Sequence, residues 1–149
     1  TMAFIGAIYS ETRTIPLLSV SLVTLSVASS TLIPLTFGAS FVTLRSLFFA
    51  TGLIMFGRET LHDVADLKAD KGYKKTLPIV FGSKFARILS TASLIAGCIF
   101  VMIISPISLI GTAFILGGLI QVIKEVNLTQ VRKCIDIGLI ALVIGLAFR

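Results

Sequence analysis

The sequence has 149 residues, of which 56% are hydrophobic and 13% are charged, and its mean hydropathy is +1.04. Soluble globular domains carry about 25% charged residues, so this composition excludes an ordinary water-soluble fold and predicts a protein whose apolar surface faces lipid. The net charge of +6 is therefore expected on loops at one face of a membrane, and we expect no nucleic-acid partner.

The N-terminal third predicts one incomplete and two complete membrane helices. The apolar run 1–10 is too short to span a bilayer, which takes about 20 helical residues, and we expect it to be the stub of a helix that starts upstream. No residue between Arg13 and Arg45 is charged, which predicts a first full span over Ile15–Phe37. A second span is predicted from about Leu44 through "SLFFATGLIMFG" and on into the charged stretch that follows.

The C-terminal half predicts three further spans. The 36 uncharged residues 88–123 contain Pro106 near their middle. They are too many for one span, so we expect two, Ile88–Ile104 and Ile107–Ile123. A shorter segment, Lys133–Phe148, is the last. The expected fold is all-α: an integral membrane helical bundle of about five transmembrane helices plus the N-terminal stub, with residues 1–149 forming a single membrane domain.

The distribution of basic residues agrees with five spans and predicts the orientation. With this count, only Arg45 and Arg149 fall on one side, and the other side holds Arg13, Arg58, Lys68, Lys71, Lys74, Lys75, Lys84, Arg87, Lys124, Arg132 and Lys133. Such a bias marks the inner face of a membrane. We expect a multi-pass protein surrounded by membrane lipids, in a plastid, mitochondrial or prokaryotic inner membrane.

Small residues within the spans predict close helix packing. Glycine lets helix backbones approach each other in lipid, and the spans contain Gly52, Gly97, Gly111, Gly117, Gly118 and Gly145. A packed bundle is therefore expected rather than a set of separate anchors.

Four carboxylates follow the second span at helical spacing. The first of them is Glu59, and it is followed four, seven and eleven residues later by Asp63, Asp66 and Asp70. On one helix, all four therefore fall within roughly 60° of a single face. Like charges so arranged repel each other, and near a membrane interior an unpaired carboxylate is costly. The arrangement therefore needs a compensating cation.

Two interpretations of this acidic segment stay open from spacing alone. Carboxylate oxygens suit Mg²⁺, which completes its coordination with water and substrate phosphates, and Lys71, Lys74 and Lys75 follow at once to offset a diphosphate's charge. The alternative is a solvated helix end held by salt bridges. His62 is expected to be a hydrogen-bonded bystander, and Tyr73 either an interface anchor or a substrate contact.

The segment "RETLHDVADLKADKGYKKTLPIVFG", Arg58–Gly82, resembles the second aspartate-rich motif of the UbiA superfamily of intramembrane prenyltransferases. The resemblance is to the branch that reads R-E-x-x-x-D-x-x-D-x-x-x-D-x-x-x-x-x-T-L-P-x-x-x-G. Nine positions agree in register, namely Arg58, Glu59, Asp63, Asp66, Asp70, Thr76, Leu77, Pro78 and Gly82. The resemblance of the whole chain covers the equivalent of the C-terminal half to two thirds of a family member.

The resemblance implies transfer of a prenyl group from a prenyl diphosphate to a lipophilic, usually aromatic acceptor. It implies Mg²⁺ as cofactor, with Asp63, Asp66 and Asp70 as the catalytic, metal-binding acids and with Arg58 and Lys74 contacting the diphosphate. In the family, Mg²⁺ and basic residues absorb charge on the leaving diphosphate as the C–O bond ionises.

This sequence departs from the family in one important respect. The family's first motif, of the type N-D-x-x-D-x-x-x-D, does not occur in it, and His62 stands where the branch often has lysine. We therefore expect the isolated chain to be inactive, with the first motif supplied from elsewhere. The alternative is a non-catalytic structural subunit of a larger photosynthetic or respiratory membrane complex, with other membrane subunits as partners.

Overall fold

The computed structural model describes residues 15–38, 40–104, 109–123 and 128–147. These residues form helices and short connections, and the described part of the chain contains no strand. The α-helices are α1 Pro16–Ser30, α2 Phe41–Ala65, α3 Leu67–Asp70, α4 Leu77–Phe81, α5 Ser83–Ile104, α6 Leu109–Ile123 and α7 Leu128–Ala147, and a 3₁₀-helix, Ile33–Phe37, follows α1.

The all-α prediction is confirmed, and the five long helices lie where the sequence predicts spans. Among the described residues, two segments are long and apolar enough to cross a membrane, Leu17–Phe37 and Ser83–Ile104, and a shorter apolar helix covers Leu109–Ile120. The count of five membrane crossings therefore stays a prediction. The expected N-terminal stub, residues 1–10, and the turn around Pro106 lie outside the described residues.

Helices α2 and α5 form the most closely packed pair, and two glycines make this possible. A Cβ on Gly57 would lie 2.7 Å from Leu94 Cγ and 2.8 Å from the Ser90 carbonyl oxygen. A Cβ on Gly97 would lie 2.5 Å from Ile54 Cγ1. Because neither glycine has a side chain, the two backbones touch, a packing mode that glycine also allows between helices in membranes. The Ser90 hydroxyl donates a hydrogen bond to the Gly57 carbonyl at 2.6 Å across this contact.

Helices α6 and α7 form a second pair of the same kind. A Cβ on Gly138 would lie 2.8 Å from the Gly111 carbonyl oxygen, and one on Gly118 would lie 3.3 Å from Cys134 Cβ. Gly118 therefore has the predicted packing role, whereas Gly117 faces open space. The two pairs share one core of buried residues, which includes Leu94, Cys98, Ile115, Leu119 and Ile135.

Between α2 and α5 the chain makes a compact connection. The short helices α3 and α4 are separated by a turn at Gly72, and Gly82 separates α4 from α5. Gly82 has φ +89° and ψ 149°, a conformation restricted essentially to glycine. Thr76, Leu77 and Pro78 are buried in this connection, so it is anchored against the helices rather than extended into solvent.

Candidate functional site

The four predicted carboxylates lie at the C-terminal end of α2 and along α3, but not on one uninterrupted helix. Helix α2 ends at Ala65, and Asp66 forms a turn before α3. The helical bonding nevertheless continues across this turn, because the Asp66 N–H donates to the His62 carbonyl and the Asp70 N–H to the Asp66 carbonyl, each at 2.9 Å. The acids therefore keep an approximately helical succession, with a break at Asp66 that the spacing alone does not reveal.

The four acids differ in their exposure to solvent. Asp70 is buried, Glu59 and Asp63 are half-buried, and Asp66 is exposed. Within the part of the chain that the structure describes, Asp63 and Asp70 each have a buried oxygen, Oδ2, without a hydrogen-bond partner, and the buried Thr76 hydroxyl has none there either. Buried polar atoms are nearly always satisfied, so two unsatisfied carboxylate oxygens in one segment are a place where a bound cation would complete the coordination.

The electrostatics of Asp63 show how much negative charge collects here. Burial, followed by the negative charge of Asp70, raises the pKa of Asp63 to about 7. Glu59 and Asp66 raise it further, and Lys74 opposes them. The Asp63 carboxyl lies in the charged stretch that follows Gly57. Without a cation it therefore holds a proton for much of the time at neutral pH.

Arg58 forms ion pairs with two acids from different helices. Its Nη1 contacts Glu59 Oε1 at 2.6 Å, and its Nε contacts Asp136 Oδ1 at 2.7 Å. Asp136 lies on α7, far away in the chain. A diphosphate at Arg58 would therefore compete with two carboxylates, and the assignment of Arg58 as a diphosphate ligand stays a prediction.

The remaining predicted residues surround the same segment. Lys74 Nζ lies 3.1 Å from Asp70 Oδ1. This lysine therefore forms a salt bridge with the acid that precedes it by four residues. Tyr73 is 86% exposed, so its role as an interface anchor or a substrate contact stays a prediction. Lys71 and Lys75 are exposed.

The fit of Mg²⁺ to these residues is partial. Within the described ranges, no three His, Cys, Asp or Glu side chains converge as a set that could hold a metal ion, so Asp63, Asp66 and Asp70 do not form a three-ligand site. Mg²⁺ does not require one, since it is usually bound by one or two carboxylates together with water and phosphate oxygens. The unsatisfied oxygens of Asp63 and Asp70 meet that smaller requirement.

Comparison of this chain with protein-family models, with curated proteins and with solved structures found no match.

Proposed function

We propose that this chain provides the acidic, diphosphate-binding side of an intramembrane prenyltransferase of the UbiA type. The supporting observation is the pair Asp63 and Asp70, two electrostatically coupled carboxylates that each keep a buried oxygen without a partner. A helix end stabilised only by salt bridges would instead have its acids satisfied by cations. Lys74 reaches one oxygen of Asp70 and leaves the other unsatisfied.

The proposed roles follow from burial and contact. Asp63 and Asp70 would hold the cation, and Asp66, which is exposed, would act through water. When bound, Mg²⁺ supplies positive charge that stabilises a leaving diphosphate. Lys74 lies next to the carboxylates and would contact the diphosphate oxygens, while keeping its link to Asp70. The adjoining helices α2 and α5 form an apolar wall, which excludes water from the reacting carbon of the prenyl group.

The test is Mg²⁺-dependent binding of a non-hydrolysable prenyl thiodiphosphate to the chain in lipid nanodiscs, measured by calorimetry. Binding is preferred to turnover because the sequence does not contain the first motif of the family it resembles. Asp63→Asn and Asp70→Asn are each expected to weaken Mg²⁺-dependent binding at least tenfold. Asp66→Asn is expected to have a smaller effect, because its side chain is exposed.

Two further results decide the proposal. Asp136→Asn is the matched control, since it removes an acid that touches Arg58 but does not belong to the acidic segment, and it is expected to leave Mg²⁺ affinity within threefold. Unchanged Mg²⁺-dependent binding in the Asp63→Asn and Asp70→Asn variants, with the fold retained, would refute the assignment.

One observation favours the alternative, a non-catalytic structural subunit of a membrane complex. Both described partners of Arg58 are carboxylates on the chain itself, so its charge is already neutralised by internal contacts. In a subunit of this kind, Arg58, Glu59 and Asp136 would serve only to hold α7 against α2. Purification from native membranes in one stable assembly, together with an absence of Mg²⁺-dependent diphosphate binding, would favour this function over transfer.

A further inference from the structure

A second charged feature lies away from the acidic segment, in a groove beside the N-terminal half of α5. The groove has a volume of about 740 Å³ and is lined by residues of α5 from Ser83 to Ile95, together with Val122 of α6. This volume is within the range of about 300–1,000 Å³ that is usual for ligand pockets. None of the acids of the proposed transferase site lines it.

The groove is polar at one end and apolar along the rest of its length. Ser83, Lys84 and Arg87 lie in the first turns of α5, and Ile88 and Ile95 continue the same helix face. From Ser83 to Ile95 a helix rises about 18 Å, slightly more than the roughly 15 Å of one leaflet's hydrocarbon layer. The groove therefore matches one leaflet in length, with its cations at the end where the head groups lie.

This face of α5 is exposed and distinct from the face that packs on α2. Ala86, Leu94 and Gly97 are buried on the packing side, whereas Ile88 is 61% and Ile95 41% exposed on the groove side. In addition, only 28% of the most apolar stretch of α5 is buried. That fraction is small for the core helix of a soluble protein, and it means that lipid chains are the natural solvent of this face.

The charges at the polar end favour an anionic occupant. Lys84 and Arg87 point to a phosphate, which guanidinium groups bind through paired hydrogen bonds, and Ser83 adds a hydroxyl. The positive end of the 22-residue helix α5 acts in the same direction. Lys84 and Arg87 belong to the basic side of the predicted topology, which faces the leaflet that is richer in anionic lipid.

We propose that this groove binds an anionic phospholipid, with its phosphate at Lys84 and Arg87 and one acyl chain along Ile88 and Ile95 towards Val122. Basic pockets between membrane helices are known to bind acidic lipid head groups. The combination here of two cations with an apolar trough of leaflet length specifies a lipid rather than a soluble phosphate. The site is independent of the transferase function and would serve either a transferase or a structural subunit.

The experiment is a titration of the full chain, purified in neutral detergent, with phosphatidylglycerol or phosphatidylcholine, followed by native mass spectrometry. Phosphatidylglycerol is expected to bind at least tenfold more tightly. The double variant Lys84→Gln/Arg87→Gln is expected to weaken phosphatidylglycerol binding about thirtyfold, which corresponds to about 1 kcal/mol for each basic residue. The control Lys71→Gln/Lys75→Gln removes two exposed lysines of the connecting segment and is expected to retain the preference.

Two further arms identify what is bound. Thr91→Phe fills the groove and keeps both cations, so it is expected to lose phosphatidylglycerol while circular dichroism shows an intact helical fold. Glycerol 3-phosphate at millimolar concentration is expected not to displace the lipid. Equal affinity for the two lipids, displacement by glycerol 3-phosphate, or displacement by farnesyl diphosphate would each overturn the proposal, the last because it would make the groove a substrate site.

Discussion

The contact between α2 and α5 leads to a sharp prediction for Gly57→Ala. The added Cβ would lie 2.8 Å from the Ser90 carbonyl oxygen. Ordinary van der Waals contact begins near 3.4 Å, so the helices would have to separate by about 0.6 Å. The Cβ would also lie 2.7 Å from Leu94 Cγ, which can move by side-chain rotation, but the Ser90 oxygen belongs to the backbone of α5, so no side-chain rotation relieves that clash. Separation also lengthens the 2.6 Å hydrogen bond from Ser90 to the Gly57 carbonyl.

The expected free energy change combines two opposing contributions. Overpacking a well-packed core costs about 1–3 kcal/mol, and alanine is favoured over glycine within a helix by about 1 kcal/mol. We therefore expect Gly57→Ala to lower the free energy of unfolding by up to about 2 kcal/mol. Gly117→Ala is the matched control, since it is the same exchange within a helix and its Cβ would meet nothing within 4 Å. That variant is expected to gain up to about 1 kcal/mol.

The measurement is unfolding in mixed micelles with increasing SDS, followed by circular dichroism, for the wild type and both variants. The two variants are expected to differ by about 2 kcal/mol, in opposite directions from the wild type. A difference below about 0.5 kcal/mol would mean that the two helices are not in backbone contact at Gly57, and the account of their packing would be wrong.

Two other predictions concern the charged residues. The pKa of Asp63 is raised from 3.8 to about 7, so Mg²⁺ has to displace a proton from this carboxyl below pH 7. The Mg²⁺ affinity measured by calorimetry should therefore fall about tenfold per pH unit below pH 7 and level off above it. In metal-free protein the sign is opposite: the contribution of Asp63 to stability is fully present below about pH 4 and is lost as pH rises towards 7. Asp63→Asn should remove this contribution in thermal unfolding and the pH dependence of Mg²⁺ affinity in calorimetry. A wild type that shows neither difference from Asp63→Asn would contradict the raised pKa. Asp136→Asn removes one of the two described ion pairs of Arg58 and leaves the pair with Glu59. Because both partners of the lost pair are partly exposed, the free energy of unfolding should fall by only about 1 kcal/mol. Thermal unfolding would detect this change, and a loss above about 3 kcal/mol would indicate a fully buried pair.

The sequence predicts some parts of this structure well because the information they need is local. Hydrophobic length placed the five long helices, and helical spacing identified the run from Glu59 to Asp70. The break at Asp66 was not predicted, since no proline or glycine marks it and the backbone bonds continue across it. Among the glycines, Gly57 and Gly138 make close contacts that the sequence did not single out, whereas Gly117 was named and faces open space. Which side of a helix meets a neighbour depends on the neighbour, and composition does not contain that information.

The candidate site shows the same limit. The acids of the segment were identified from the chain, but the difference between the buried Asp70 and the exposed Asp66 arises from the packing around the turn. Asp136 lies 78 residues from Arg58, and nothing in the spacing of either residue indicates that they meet. Long-range ion pairs of this kind are fixed by how α7 docks, which the sequence of either helix alone does not encode.

The pairing of the helices also has a consequence for how the protein is made. Each close pair, α2 with α5 and α6 with α7, joins segments that are neighbours along the chain apart from short connections, so each can form as a helical hairpin soon after it leaves the ribosome. The ion pair between Arg58 and Asp136 joins the two hairpins. It can form only after the second hairpin has been synthesised and has docked on the first. A cross-link engineered at these two positions would therefore report the docking of the hairpins, separately from the formation of each hairpin.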